Sequence, residues 1–263
     1  MFKWLISILI TCIIIVNSAI AKEPSFVSIA PYLTELMYAL DAQDMLMAVS
    51  TQCSFPEDAK NKPVIGDTYF IDEELLLKIK PDYFLAPDSA EFLINKYKRF
   101  GIKPLCYKYP NIDAIYNNIL SLGKLTGREE KAQEIVNDLK LKIENARLSN
   151  KNPKKILYVV SMQPFMTIGG RSFLTDIIEK SGNHSITREL DTYYPAISLE
   201  YAINKKPDII VLDYYCFSEG KIEKLFPNSK IIKMTKADSD IIDRPSNRIY
   251  KSVEFFAKIS NEN

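Results

Sequence analysis

The chain carries nearly the same phrase twice. Residues 71–82 and 197–208 align without a gap, so that Glu74 falls on Glu200 and Lys80-Pro81-Asp82 on Lys206-Pro207-Asp208. Each phrase runs into an apolar stretch, Tyr83 to Ala86 and Ile209 to Leu212. In each, a polar residue that can cap a helix, Asp72 or Ser198, precedes residues at helical spacing. A proline then stops the helix, because the residue before proline avoids helical geometry. Two copies of one helix–turn–strand unit predict two similar lobes, each with a carboxylate in the first turn of the matched helix. There the helix dipole favours a negative charge.

The segments around the repeats alternate in the same way. Strands are predicted at Phe26–Ala30, Met45–Ser50, Tyr83–Ala86 and Lys103–Tyr107, with helices at Thr34–Leu40, Asp72–Ile79 and Glu91–Phe100. The second half restarts with strands at Lys155–Val160, Ile209–Leu212 and Lys230–Met234. Its helices are predicted at Ser172–Lys180, after Ser198, and at Ser246–Ile259. Alternating strands and helices predict an α/β fold with a mostly parallel sheet covered by helices.

Between the halves, Thr126 to about Leu148 holds no proline and no strand signal. Ala132, Ile135, Val136, Leu139, Ile143 and Ala146 form an apolar stripe at helical spacing, and Thr126 with Glu129 reads as a capping box. About 20 residues at ~1.5 Å each give a rod of roughly 30 Å, a strut between lobes. The expected division is therefore 1–21 signal peptide, 22–122 N-terminal lobe, 123–152 linker helix and 153–263 C-terminal lobe.

The signal reading rests on Lys3, the apolar run Trp4 to Val16 and the small residues of Ala19-Ile20-Ala21, with cleavage before Lys22. An uncleaved anchor is the competing reading, but the run is short for a membrane span. Residues 1–21 contribute only Lys3 to the charged side chains, so the remainder balances at 33 basic against 33 acidic residues. That balance argues against nucleic acid as a partner. An exported chain can form disulfides, but Cys53, Cys106 and Cys216 leave at least one thiol unpaired within a monomer.

Enzyme signatures are missing: no GxSxG, no GxGxxG after a strand, no P-loop, no HExxH. One histidine, His184, cannot build a multi-histidine metal site, and no metal or cofactor is predicted. A secreted α/β enzyme using His184 remains the competing class. Gly169-Gly170-Arg171-Ser172 before a helix reads as a turn, with an anion-holding loop as the alternative. The positive signal is aromatic. There are 15 tyrosines, and Tyr32, Tyr69, Tyr193-Tyr194 and Tyr214-Tyr215 sit beside predicted strand ends or repeats. Ligands of parallel α/β sheets bind outside the carboxyl ends of strands, where tyrosine offers an apolar face with a polar tip.

Several segments in order resemble one family. They are Ser28-Ile29-Ala30-Pro31-Tyr32-Leu33-Thr34-Glu35-Leu36, Cys53-Ser54-Phe55-Pro56, Pro63-Val64-Ile65-Gly66 and the Lys-Pro-Asp strand starts. Gly169 to Leu174, Tyr194 to Glu200 and Arg244-Pro245-Ser246-Asn247-Arg248 complete the series. It is similar to the periplasmic substrate-binding proteins of iron-siderophore, haem and cobalamin ABC importers, most of all the vitamin B12-binding branch. The resemblance implies two α/β lobes joined by one long rigid interlobe helix, with little hinge motion and a ligand cleft between the lobes. It implies ligand contacts at Tyr32, Gln52, Tyr69, Phe165, Met166, Tyr194, Asp240 and Arg244. It also implies that Glu74 and Glu200 dock on arginines of a permease dimer that works with ATPase subunits, the binding protein being a periplasmic monomer when free. Where that branch often places tryptophan around the corrin, this chain has tyrosine or non-aromatic residues. Ferric siderophore and haem therefore stand as alternative ligands to cobalamin.

Overall fold

A computed structural model describes residues 22–216 and 220–262. The expected signal peptide lies outside the described residues. Among the described residues, no helix is long and apolar enough to cross a membrane.

Two five-stranded sheets form the two lobes. The N-terminal sheet comprises β1 (Phe26–Ser28), β2 (Leu46–Ser50), β3 (Val64–Gly66), β4 (Tyr83–Pro87) and β5 (Lys103–Tyr107), in the order β3-β2-β1-β4-β5 and parallel throughout. Its helices are α1 (Pro31–Ala39), α2 (Glu73–Ile79) and α3 (Glu91–Asn95). The last passes into a 3-10 turn, Lys96–Phe100, so the predicted Glu91–Phe100 helix is split.

The second sheet comprises β6 (Lys155–Met162), β7 (Phe165–Thr167), β8 (His184–Ser185), β9 (Ile209–Leu212) and β10 (Lys230–Lys233). Its order is β10-β9-β6-β7 with β8 also on β6, and only the β6–β7 pair is antiparallel.

Two helices join the lobes. α4 (Ile112–Thr126) is not among the elements expected from sequence, although Asn111 accepts a bond from the Ala114 N–H as its N-cap and Gly127 closes it in the left-handed region. α5 (Glu129–Ser149) is the predicted strut. The predicted capping box at Thr126 does not form. Thr126 is the last residue of α4, and its hydroxyl donates back to the Leu122 and Gly123 carbonyls instead. The remaining helices are α6 (Phe173–Lys180), α7 (Leu199–Lys205), α8 (Lys221–Leu225), α9 (Lys236–Ile242) and α10 (Tyr250–Asn261).

One hydrophobic core runs through both lobes. Leu33 and Leu36 of α1, Ile115 and Ile119 of α4, Val136 and Ile143 of α5, Ile177 of α6 and Phe256 of α10 belong to the same buried cluster. The outer face of each sheet has its own smaller cluster. The stripe read from the sequence is therefore the side of α5 that packs against α4 in front and α10 behind.

The structure also explains the doubled phrase. Asp72 and Ser198 cap α2 and α7 by accepting from the Leu75 and Tyr201 N–H groups. Lys80 and Lys206 end the helices in the left-handed region, at φ 46° and 50°. Asp82 then accepts from both the N–H and the hydroxyl of Ser25, at 2.8 Å each, and Asp208 from the Lys155 N–H at 2.7 Å. Each aspartate thus ties its strand to the start of the neighbouring central strand. Lysine, proline and aspartate act as one structural unit in both lobes, leaving Glu74 and Glu200 exposed and free of that work.

Candidate ligand cleft between the lobes

The cleft forms where the carboxyl ends of both sheets face each other. After β4 the chain turns through Asp88 and Ser89; after β5 it passes Tyr109 and Pro110. From the other lobe come Ser172 and Phe173, at the start of α6, with Tyr193 and Tyr194 from the loop before α7. These eight residues line a cavity of about 380 Å³. A neighbouring hollow of about 530 Å³ shares Pro110 and Tyr193 with it and adds Asn111, Arg171, Asp176, Glu179 and Arg188.

Aromatic rings packed edge to face run from the cavity into the core. Tyr109 packs edge-on against Tyr32 at 5.0 Å and against Phe173 of the opposite lobe at 5.5 Å. Buried among these rings, the Tyr109 phenol is pushed up to about 12, with the Asp88 carboxylate adding to the effect. Tyr32 is driven well above the usual phenol range, chiefly by burial and then by Tyr109 and Asp88. Tyr194 is raised by burial and then by the carboxylates of Asp243 and Asp213.

Those two carboxylates converge on one buried phenol. The Tyr158 hydroxyl lies 2.9 Å from Asp213 Oδ2 and 3.2 Å from Asp243 Oδ1. Asp243 also accepts from the Ser239 hydroxyl. Burial, opposed by the Ser239 bond but reinforced by the charge of Asp213, pushes the Asp243 carboxyl up to about 6.

The loop carrying Tyr193 and Tyr194 is fixed by the Gly169-Gly170 turn. A Cβ at Gly169 would lie 2.2 Å from the Thr192 carbonyl oxygen, and one at Gly170 2.2 Å from that of Arg188. The N–H groups of Gly169, Gly170 and Arg171 donate to the carbonyls of Tyr193, Leu190 and Thr192. With its donors spent on this loop, the segment is a packed turn and not an anion-holding loop.

A buried ion network crosses the lobes on the helical side. Glu35 of α1, with no exposed side-chain surface, accepts from Arg244 at 3.0 Å and from Arg248 at 2.7 and 2.9 Å. Asp240 binds the other side of Arg244 at 3.0 Å. The Arg248 guanidinium also lies over the Phe55 ring, 3.9 Å from its centroid. A second tie is the Asp176 carboxylate of α6, which accepts from the Ile112 N–H at the start of α4.

The residues expected from sequence to touch ligand fall into three groups. Tyr194 lines the cavity, whereas Tyr32 does not: it is buried, its ring packed edge-on against Tyr109. Asp240 and Arg244 are held together in the ion network, which occupies the Arg244 guanidinium. Phe165 is packed in the core of the second sheet with Met166 half-buried beside it, while Gln52 and Tyr69 stand exposed on turns after β2 and β3. Sequence reasoning missed Asp88, Ser89, Tyr109, Ser172 and Phe173. The signal was present, since Asp88 and Tyr109 each lie two residues past a predicted strand and Ser172 and Phe173 begin a predicted helix. His184 lies on the short edge strand β8, exposed, with Nδ1 3.7 Å from Glu179. Cys53, Cys106 and Cys216 are all free. Among the described residues, no cluster of three or more histidine, cysteine or acidic side chains could hold a metal.

Known proteins share this architecture. The family model described as periplasmic binding protein matches residues 27–226. A curated vitamin B12-binding protein of Vibrio parahaemolyticus serotype O3:K6 is 23% identical over 244 residues, covering 89% of this chain and 88% of its own. A possible iron-binding (periplasmic solute-binding) protein from Staphylococcus epidermidis superposes with a TM-score of 0.80 at 26% identity, over 90% of this chain and 98% of its own. The periplasmic haem-binding protein of Vibrio cholerae superposes with a TM-score of 0.77 at 18% identity, over 90% and 98%.

Proposed function

This chain belongs to the periplasmic binding protein family, and on that premise we propose that it is the receptor of an ABC importer for a bulky metal chelate, cobalamin or a related corrinoid. The observation that carries the reading is the cavity at the carboxyl ends of both sheets, walled by aromatic rings from each lobe. Such a wall suits a large planar ligand with an apolar face and a polar rim. The name of the Vibrio parahaemolyticus relative favours a corrinoid. In this reading the receptor acts in the periplasm, exported by residues 1–21.

Delivery would use the duplicated unit. Glu74 and Glu200 each occupy the second position of a helix and are exposed. Carboxylates displayed alike on two lobes fit a two-fold permease dimer that offers arginines, since arginine pairs with carboxylate in a bidentate way. Reversing both charges should abolish uptake while leaving ligand affinity unchanged. A large loss of affinity would instead place them in the ligand site.

Calorimetric titration with cyanocobalamin, haemin and a ferric siderophore tests the ligand. Cobalamin is expected to bind tightest; no binding to any of the three overturns the reading. Haem or a ferric siderophore is the second reading, favoured by the half-exposed Tyr194 phenol as a ligand for ferric iron. The absorption spectrum of protein taken from its native compartment separates the two. We read the protein as a receptor and not an enzyme, so His184→Ala should leave binding intact.

A further inference from the structure

The charges that reach the cleft are of one sign. Asp88 is the charged side chain among the residues that line the cavity, and it acts on both Tyr32 and Tyr109. The arginines near the cleft are each matched to a carboxylate. Arg171 holds Asp191 through two bonds of 2.7 and 2.9 Å, and Arg188 holds Glu179 at 2.8 Å. Arg244 and Arg248 are spent on Glu35 and Asp240. A ligand entering between the lobes therefore meets phenol rings, serine hydroxyls and the Asp88 carboxylate.

We infer that the cleft selects by charge, accepting a bulky chelate whose edge is neutral or cationic and rich in N–H donors, and rejecting one of the same size edged with carboxylates or catecholates. This rests on the reading of the cleft as the ligand site. A carboxylate-edged ligand would bring like charges together in a partly desolvated space, where the repulsion is far less screened than in water. Amide edges place N–H donors where Ser89 and Asp88 can accept them. Those acceptors would otherwise lose their water without replacement. Like-charge juxtaposition of this kind is a common means of excluding wrong partners.

The test uses two ligand pairs that differ in edge charge, measured by titration of the intact protein. The first is dicyanocobinamide against dicyanocobyrinic acid, the same ring edged by amides or by carboxylates. The amide form should bind at least about ten-fold tighter, with the ratio shrinking at high salt. Asp88→Asn should raise affinity for the acid by about ten-fold and lower that for the amide form, which loses a carboxylate acceptor, so that the preference for the amide form collapses. Equal or tighter binding of the acid overturns the inference while the corrinoid reading stands. If neither corrinoid binds, that reading falls, and the second pair decides. A cationic ferric trishydroxamate binding tighter than a ferric triscatecholate trianion supports charge selection, and the reverse or equality overturns it. If none of the four binds, both readings fall.

Discussion

At the scale of single residues, Glu35 and Asp243 carry the sharpest consequences. Glu35 is a fully buried carboxylate answered by two guanidiniums, so Glu35→Gln leaves Arg248 without its counter-charge and Arg244 with Asp240 alone. Removing one partner of a buried pair typically costs about 3–5 kcal/mol. Denaturant unfolding should show a loss of that order. Asp243 works in the opposite sense. Its carboxyl titrates near 6 in the folded protein, above its ordinary value of 3.8, so the folded state holds the proton more tightly than the unfolded chain. The stabilisation is fully present below pH 4 and is lost as pH rises through about 6. A rise of that size corresponds to about 3 kcal/mol. Asp243→Asn should flatten that slope and gain stability at pH 8, which unfolding curves from pH 4 to pH 8 would read.

At the scale of elements, the strut and the loop before α7 give separable predictions. Leu139 is buried on the packed face of α5, so Leu139→Ala should cost about 2–5 kcal/mol in unfolding free energy without changing ligand affinity. Gly169→Ala should do the reverse. Its Cβ would strike the Thr192 carbonyl and push Tyr193 and Tyr194 off the cavity wall. Ligand affinity should fall by at least about ten-fold while the fold survives, since the strain is confined to a surface loop.

The elements also show how far the sequence could be read. Repeats, strands and strut were legible because burial imposes a period that the residues must display. α4 was missed although Ile112, Ile115, Tyr116, Ile119 and Leu122 keep helical spacing. The Thr126–Glu129 pair misleads because a capping pattern cannot tell a helix start from the end of a preceding helix. The ion network was invisible for a different reason. Glu35 lies more than 200 residues from Arg244 and Arg248, and no local pattern links them. Of the residues that line the cavity, Tyr194 was among those the resemblance implied, whereas Asp88 and Ser172 come together only when the lobes are brought face to face.

At the scale of the whole molecule, the lobes are tied by the shared core, the Glu35 network and the Asp176–Ile112 bond. Such a body should bind by filling a ready-made cleft. Spin labels at Phe92 and Tyr215, both exposed on opposite lobes, should keep their separation to within about 1 Å on ligand addition. A larger closure would mean that the ties yield when the cleft is occupied.

The shared core has one more consequence, for how the protein could be cut. Its apolar residues are supplied by α1, α4 and α5 ahead of Lys151 and by α6 and α10 after it. A chain severed at Lys151-Asn152 would give two fragments that each expose an unpaired half of one interior. Neither should fold alone, but mixed together they should recombine, because each half is the missing surface of the other. The protein would then serve as a complementation pair, its reassembly driven by the same helical faces that hold the cleft open.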